Sequence, residues 1–229
     1  MSAVLEFTNV VKSYPGPGHS PPVEVLRGIT WRVEHGQSVA IVGPSGSGKT
    51  TLLQLAGGLD VPTSGEVRIF GESWAAFSPD ERARRRRKLV GFVFQQHWLL
   101  PQLTALENVL LPALADRSEP LPVERAKGLL QRVGLAHRWD HRPPELSGGE
   151  CQRVAVVRAL ILKPKLMLAD EPTGSLDARS AEQVADCLVS LHQEEGVSLV
   201  VVTHSPAQAS RMKMRYRLAD GMLSPDVLL

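Results

Sequence analysis

Apolar positions along the chain recur with two different periods. Val4-Leu5-Glu6-Phe7 has the alternation of a half-buried strand. Pro15 to Pro22 predicts a turn or loop, because prolines cannot donate to a ladder. Val39-Ala40-Ile41-Val42 is a short apolar run that stops at glycines, and Lys49 to Leu55 has helical spacing, so the local order is strand, glycine-rich loop, helix. Val67 to Phe70 and Val90 to Phe94 predict further strands. Thr104 to Ala115, Val123 to Val133 and Gly149 to Leu162 predict helices. Leu166 to Ala169 and Ser198 to Val202 are apolar strands separated by a helix from Ala178 to Gln193. That alternation is what a parallel α/β sheet requires. The predicted fold class is α/β, with an N-terminal antiparallel β portion and a helical subdomain, residues 95–144, inserted into a framework of residues 1–94 and 145–229.

Composition narrows the partners. Hydrophobic residues make up 43% of 229 positions, enough to bury a core. The longest apolar stretches, such as Val197 to Val202 with Ser198 inside it, fall far short of the ~20 residues that cross a bilayer, so a membrane role would come through a partner. With 26 basic and 24 acidic residues the formal charge is +2, too balanced for a nucleic-acid-coating protein, and no nucleic acid partner is expected. Cys151 and Cys187 are too few for a disulfide framework, and Met1 to Glu6 lacks the layout of a secretory signal, which predicts a reducing cytoplasm. The basic run Arg82, Arg84 to Arg87 and Lys88 is read as a solvated helix face.

Gly43-Pro44-Ser45-Gly46-Ser47-Gly48-Lys49-Thr50 fits G-x-x-x-x-G-K-[ST] and sits between a predicted strand and a predicted helix, with Thr51 next in line. Glycines let successive backbone N–H groups turn toward phosphate oxygens, and the helix N-terminus adds partial positive charge. Lys49 neutralises the β/γ-phosphates, and Thr50 offers a hydroxyl to Mg²⁺.

Asp170 and Glu171 follow the apolar strand Leu166 to Ala169, at the end where open α/β sheets bind ligands. Adjacent acids in such a place are commonly solvated; the phosphate loop gives this pair its chemistry. Asp170 is placed to hold Mg²⁺, and Glu171 to polarise a water toward the γ-phosphate. A second glycine signature, Leu146-Ser147-Gly148-Gly149-Glu150, opens another helix and offers a hydroxyl and unpaired N–H groups. Either both loops reach one nucleotide or each serves a different one.

In order and spacing, Gly43 to Thr50, Gln95, Leu146 to Glu150, Leu166 to Glu171, Ser175-Leu176-Asp177 and His204 resemble the Walker A, Q-loop, signature, Walker B, D-loop and H-loop of ABC nucleotide-binding domains, over nearly the whole chain. The resemblance implies an ABC-type P-loop NTPase with a RecA-like parallel-sheet core that hydrolyses ATP with Mg²⁺. It also implies a head-to-tail dimer in which ATP lies between Walker A of one copy and the signature of the other. Carried over by position, Tyr14 would stack on adenine, and Gln95 would reach Mg²⁺ and the water. Ser147, Gly148 and Gly149 would meet the γ-phosphate across the interface, Asp177 would link the two sites, and His204 would hold the γ-phosphate and the geometry of Glu171. The family also implies that the region Gln95 to Asn108 receives membrane permease subunits, which would hold the chain at the cytoplasmic side of the membrane.

Gly57 to Gly65, Gly91 to Val109 and His141 to Leu146 resemble the lipoprotein-releasing branch of the family, and the macrolide-export and cell-division branches share much of this. The rival from another class is a regulatory ATPase that drives a membrane-anchored partner without moving a solute. Cys151, where this branch usually has a basic residue, and Ser175, where it usually has Asn, depart from the pattern and are expected near the dimer interface.

Overall fold

A computed structural model describes residues 3–16, 18, 21–115 and 120–226. In chain order the elements are β1 (Ala3–Tyr14), β2 (Val23–Glu34), β3 (Ser38–Val42), α1 (Lys49–Ala56), β4 (Ser64–Ile69), β5 (Glu72–Ser73), α2 (Pro79–Leu89), β6 (Val90–Val93), α3 (Ala105–Leu110), α4 (Val123–Arg132), α5 (Gly148–Leu160), β7 (Leu166–Asp170), α6 (Ala178–Glu195), β8 (Ser198–Thr203), α7 (Pro206–Ala209), β9 (Met214–Ala219) and β10 (Met222–Pro225). They form two compact units, residues 1–86 with 198–229 and residues 87–197. Among the described residues no helix is long and apolar enough to cross a membrane. Part of the expected turn from Pro15 to Pro22, and residues 116–119 of the expected helical subdomain, lie outside the described residues.

In the first unit, β2, β1, β4 and β5 pair in that order as an antiparallel sheet. Ile29, Trp31 and Val33 of β2 are buried while Thr30 and Arg32 are exposed, so one face turns inward. The register of β1 against β2 shifts between Phe7 and Val10, where Asn9 takes a φ of 48°, the mark of a bulge. The same unit holds β10, β9, β3 and β8 as neighbours, with β3 parallel to both β8 and β9. Every residue of β8 is buried, as strands covered on both faces must be. Ser38 and Ser198, polar within this core, are used: their hydroxyls accept from Lys213 N at 3.2 Å and Gly36 N at 2.9 Å. Trp31 ties the two sheets together, 5.8 Å from both the Phe7 and the Tyr216 rings.

The second unit pairs β6 and β7 in parallel and packs α5 on β6, with α3, α4 and α6 against α5. The helix expected from Thr104 to Ala115 ends at Leu110 and continues as a 3-10 turn, Leu111–Ala115. Pro112 is the reason: it has no N–H for an i to i−4 bond and its ring crowds the preceding turn. Thr104 and Glu107 form a capping box at the start of α3. Asn108, fully buried, accepts from Leu100 N and donates to the carbonyls of Leu100, Leu103 and Thr104, which staples the segment before α3 to the helix itself.

At the far end of this unit Glu195, the last residue of α6, accepts from Arg125 at 2.5 Å and Arg132 at 2.7 Å, both on α4. Burial pushes the Glu195 carboxyl up, but the two guanidinium groups outweigh it and its pKa lies below the usual 4.5. Because the folded value is the lower one, this stabilisation is present above 4.5 and is lost as the pH falls through the folded value. Glu195→Gln is expected to cost ~1.5–3 kcal/mol at neutral pH. In urea unfolding the difference from the unsubstituted protein is expected to shrink as the pH is taken below 4.5. A difference independent of pH would contradict the assignment.

Candidate nucleotide site

In the first unit, β3 delivers the chain to Gly43, and α1 begins at Lys49. Gly48, the N-cap, has φ 99°, and no side chain caps α1 or adds an acid to its first turn. A Cβ on Gly48 would lie 2.9 Å from Val25 of β2, and one on Gly43 would lie 2.2 Å from the carbonyl oxygen of Leu218 in β9. The loop is thus clasped between two strands with no room for side chains at its ends. Lys49 is buried, 9% exposed, and its Nζ donates to the carbonyls of Gly43 and Pro44, 3.0 Å each. The Ser47 hydroxyl is buried without a partner, a state that costs about 1–3 kcal/mol unless a ligand oxygen meets it. A lysine held at the mouth of the loop, an orphaned hydroxyl and an uncapped helix start fit a phosphate group. Thr50 is exposed, and Thr51 is half-buried.

His204 follows β8, is exposed, and lines a cavity of about 610 Å³ with Gly43, Arg215 and Arg217. Tyr14 ends β1; its hydroxyl donates to Asp60 at 3.0 Å, and Lys12 forms an ion pair with the same carboxylate at 2.8 Å.

In the second unit, Asp170 is the last residue of β7, half-buried like Glu171 after it. Glu171 has φ 45°, a left-handed backbone that costs a non-glycine residue about 1–3 kcal/mol and collects at functional sites. Gln95, exposed just beyond β6, is brought against the segment that follows Glu171. Its carbonyl accepts from the Ser175 hydroxyl at 3.2 Å, and a Cβ on Gly174 would lie 3.0 Å from its Nε2. The serine that departs from the expected Asn therefore ties Gln95 to the loop after β7.

Ser147 caps α5 and forms a capping box with Glu150. Its oxygen accepts from Glu150 N at 3.3 Å, and its hydroxyl also bonds the Glu150 carboxylate. The bond from the Ser147 backbone N–H holds the Glu150 carboxyl below its usual range. Gly148 is exposed and Gly149 is buried. A Cβ on Gly149 would lie 2.9 Å from Ser180, so the start of α5 abuts the start of α6. Asp177 caps α6 through Ser180 N at 3.0 Å, and its hydrogen bonds with Ser180 hold its carboxyl below the usual range. Cys151 is 3% exposed in its own chain, and burial pushes its thiol up to about 11, so this departure concerns the core rather than a surface.

Two polar residues of α5 escaped the sequence reading. Gln152, 2% exposed, donates to the Phe94 carbonyl at 2.7 Å. Arg158 donates to His97 O at 2.6 Å and Trp98 O at 2.7 Å. Polar side chains among the apolar positions of α5 were the available signal; their partners, about sixty residues away in sequence, were not.

Comparison with known proteins agrees with this geometry. The family model described as ABC transporter matches residues 26–174. The chain is 50% identical over 221 residues to the lipoprotein-releasing system ATP-binding protein LolD 1 of Rhodopirellula baltica, covering 96% of each. It is 48% identical to LolD of Myxococcus xanthus, over 97% of this chain and 99% of that protein. Among solved structures, the dimeric post-hydrolysis state of the ATP-binding cassette MJ0796 bound to ADP and Pi superposes with a TM-score of 0.86 at 38% identity, covering 98% of this chain and all of that one. A loop shaped for phosphate, a strained acid after a buried strand and a second capped glycine turn therefore have their counterpart in sequence: the chain belongs to the ABC transporter family, whose ATP-binding domain hydrolyses ATP, alongside the ATP-binding proteins of lipoprotein-releasing systems.

Proposed function

We propose that this chain is the motor subunit of a lipoprotein-releasing transporter, working as a pair of copies that close on ATP and drive membrane subunits from the cytoplasmic side. The observation that carries the reading is the phosphate loop, with Lys49 on its own loop carbonyls and Ser47 Oγ unpartnered. Bound triphosphate would replace the carbonyls as the partner of Lys49 and satisfy Ser47, while the N–H groups of Gly43 to Thr51 cradle the phosphates. Tyr14 stacks on the base. Thr50, Gln95 and Asp170 would hold Mg²⁺, which would offset the charge of the phosphate oxygens. Glu171 takes the proton of the attacking water, oriented by Gln95 and His204.

Ser147, Gly148 and Gly149 act on the nucleotide of the second copy, with Asp177 between the two sites. The MJ0796 cassette, solved as a dimer, supports the pairing. Residues 95–144 are the helical subdomain, and the membrane subunits dock on Gln95 to Asn108. Trp98 there is 65% exposed and Leu100 46% exposed, an apolar pair on a segment held by Arg158 and Asn108. The similarity to LolD proteins over nearly the full length supports lipoprotein release as the work done.

Glu171→Gln is expected to keep ATP binding, to lower turnover by ~10²–10⁴-fold and to shift from one copy to two with Mg·ATP, measured by light scattering. A monomeric, active variant would overturn both assignments. Lys49→Ala is expected to weaken ATP binding itself, about tenfold or more by titration calorimetry. Trp98→Glu is expected to lower co-purification with the membrane subunits; unaltered recovery would remove this segment from the docking surface.

A further inference from the structure

Asp60 is engaged more heavily than a loop carboxylate after a helix needs to be. Its Oδ1 accepts from Lys12 Nζ at 2.8 Å and from Val61 N at 2.7 Å, and its Oδ2 accepts from the Tyr14 hydroxyl at 3.0 Å. Lys12 itself is 9% exposed and donates also to the Val61 carbonyl, and its ammonium stands over the Tyr14 ring, 4.9 Å from the centroid. Burial pushes the Asp60 carboxyl up, but the bonds from Lys12, Val61 and Tyr14 outweigh it and keep it below its usual value, hence charged. Lys12 covers one face of the Tyr14 ring, so a stacked base has to use the other.

The same residues connect the ring to the phosphate loop by two routes. Tyr14 pairs with Val23 at the start of β2, and Val25 and Leu26 of β2 pack against Gly48. From the other side, Asp60 follows α1, whose first residue is Lys49, and the N–H groups of Leu59 and Asp60 both bond to Gln54 O within that helix. Thr63 N donates to Val11 O and Ser13 N donates to Thr63 Oγ1, which fastens this stretch along β1. A tyrosine ring has freedom about two side-chain torsions; anchoring its hydroxyl removes that freedom before the ligand arrives.

We propose that Asp60 is the positioning residue of the base platform: its carboxylate, shared by Lys12 and the Tyr14 hydroxyl, sets the ring at a fixed place relative to the phosphate loop and so gives the site its preference for a base-bearing triphosphate over bare polyphosphate, an assignment that rests on the reading of Tyr14 as the surface on which the base stacks. Lys12 is the counter-charge that keeps Asp60 ionised in its half-buried place. The phosphate loop is untouched by this arrangement, so the effect is confined to ligands that carry a base.

The test is binding, in the Glu171→Gln background so that nothing is hydrolysed. Dissociation constants for Mg·ATP and for Mg·tripolyphosphate are measured by displacement of a labelled ATP. Asp60→Asn and Tyr14→Phe, the second of which keeps the ring and removes only the anchored hydroxyl, are each expected to weaken ATP roughly two- to tenfold and to leave tripolyphosphate unchanged. The double variant is expected to be no weaker than either single one, because both break the same link. Equal weakening of both ligands, or no weakening of ATP, overturns the assignment. Tyr14→Ala separates the two levels. If it leaves the ratio of the ATP constant to the tripolyphosphate constant unaltered, the reading of Tyr14 fails; if it raises that ratio while Asp60→Asn and Tyr14→Phe do not, stacking stands and the role of Asp60 fails. Should Asp60→Asn not fold, Tyr14→Phe alone decides.

Discussion

A loop that offers its backbone N–H groups to a ligand cannot spend them on its own chain, so its shape has to come from its surroundings. From Gly43 to Gly48, where the Ser47 N–H alone turns inward, to Pro44 O at 3.3 Å among the backbone bonds of the described residues, that constraint governs the first unit. The Leu218 carbonyl presses on Gly43, Val25 and Leu26 press on Gly48, and Lys49 reaches back to the carbonyls of Gly43 and Pro44. The walls are therefore β9 and β2, and both must be exact neighbours of β3 and α1 for the glycines to fit. The burial of β8 and the use of Ser38 and Ser198 as internal acceptors follow from the same need for a rigid frame.

In the second unit, α5 does the corresponding work. Its first turn carries the capped glycine signature, its middle holds Phe94 O through Gln152, and its last turn holds His97 O and Trp98 O through Arg158. One helix thus fixes both the signature and the segment that presents Trp98. Of the three non-glycine residues with left-handed backbones described in this unit, Trp98, Lys163 and Glu171, one stands on the exposed apolar segment and one follows the buried strand β7. Their strain is held by the surrounding bonds, including Gly174 N to Glu171 O and the two bonds of Arg158.

The sequence by itself determined whatever depends on neighbours a few residues apart. Strand, loop and helix around Gly43 to Lys49, the acids after Leu166 to Ala169, the glycine signature that opens α5 and the buried strands β7 and β8 are all local patterns, and all were legible. Only the tertiary structure decided what meets across the chain: that β9, with arginines and a tyrosine in Met214–Ala219 and little apolar alternation, lies beside β3; that Lys12 and Tyr14 share Asp60, 48 and 46 residues away; that Arg158 reaches back 61 residues to His97; and that Cys151 points into the core. The physical reason is that periodicity and capping record the interaction of a residue with its own turn or strand. The choice of a distant partner is set by loop closure and the packing of whole elements, which no short stretch of sequence carries.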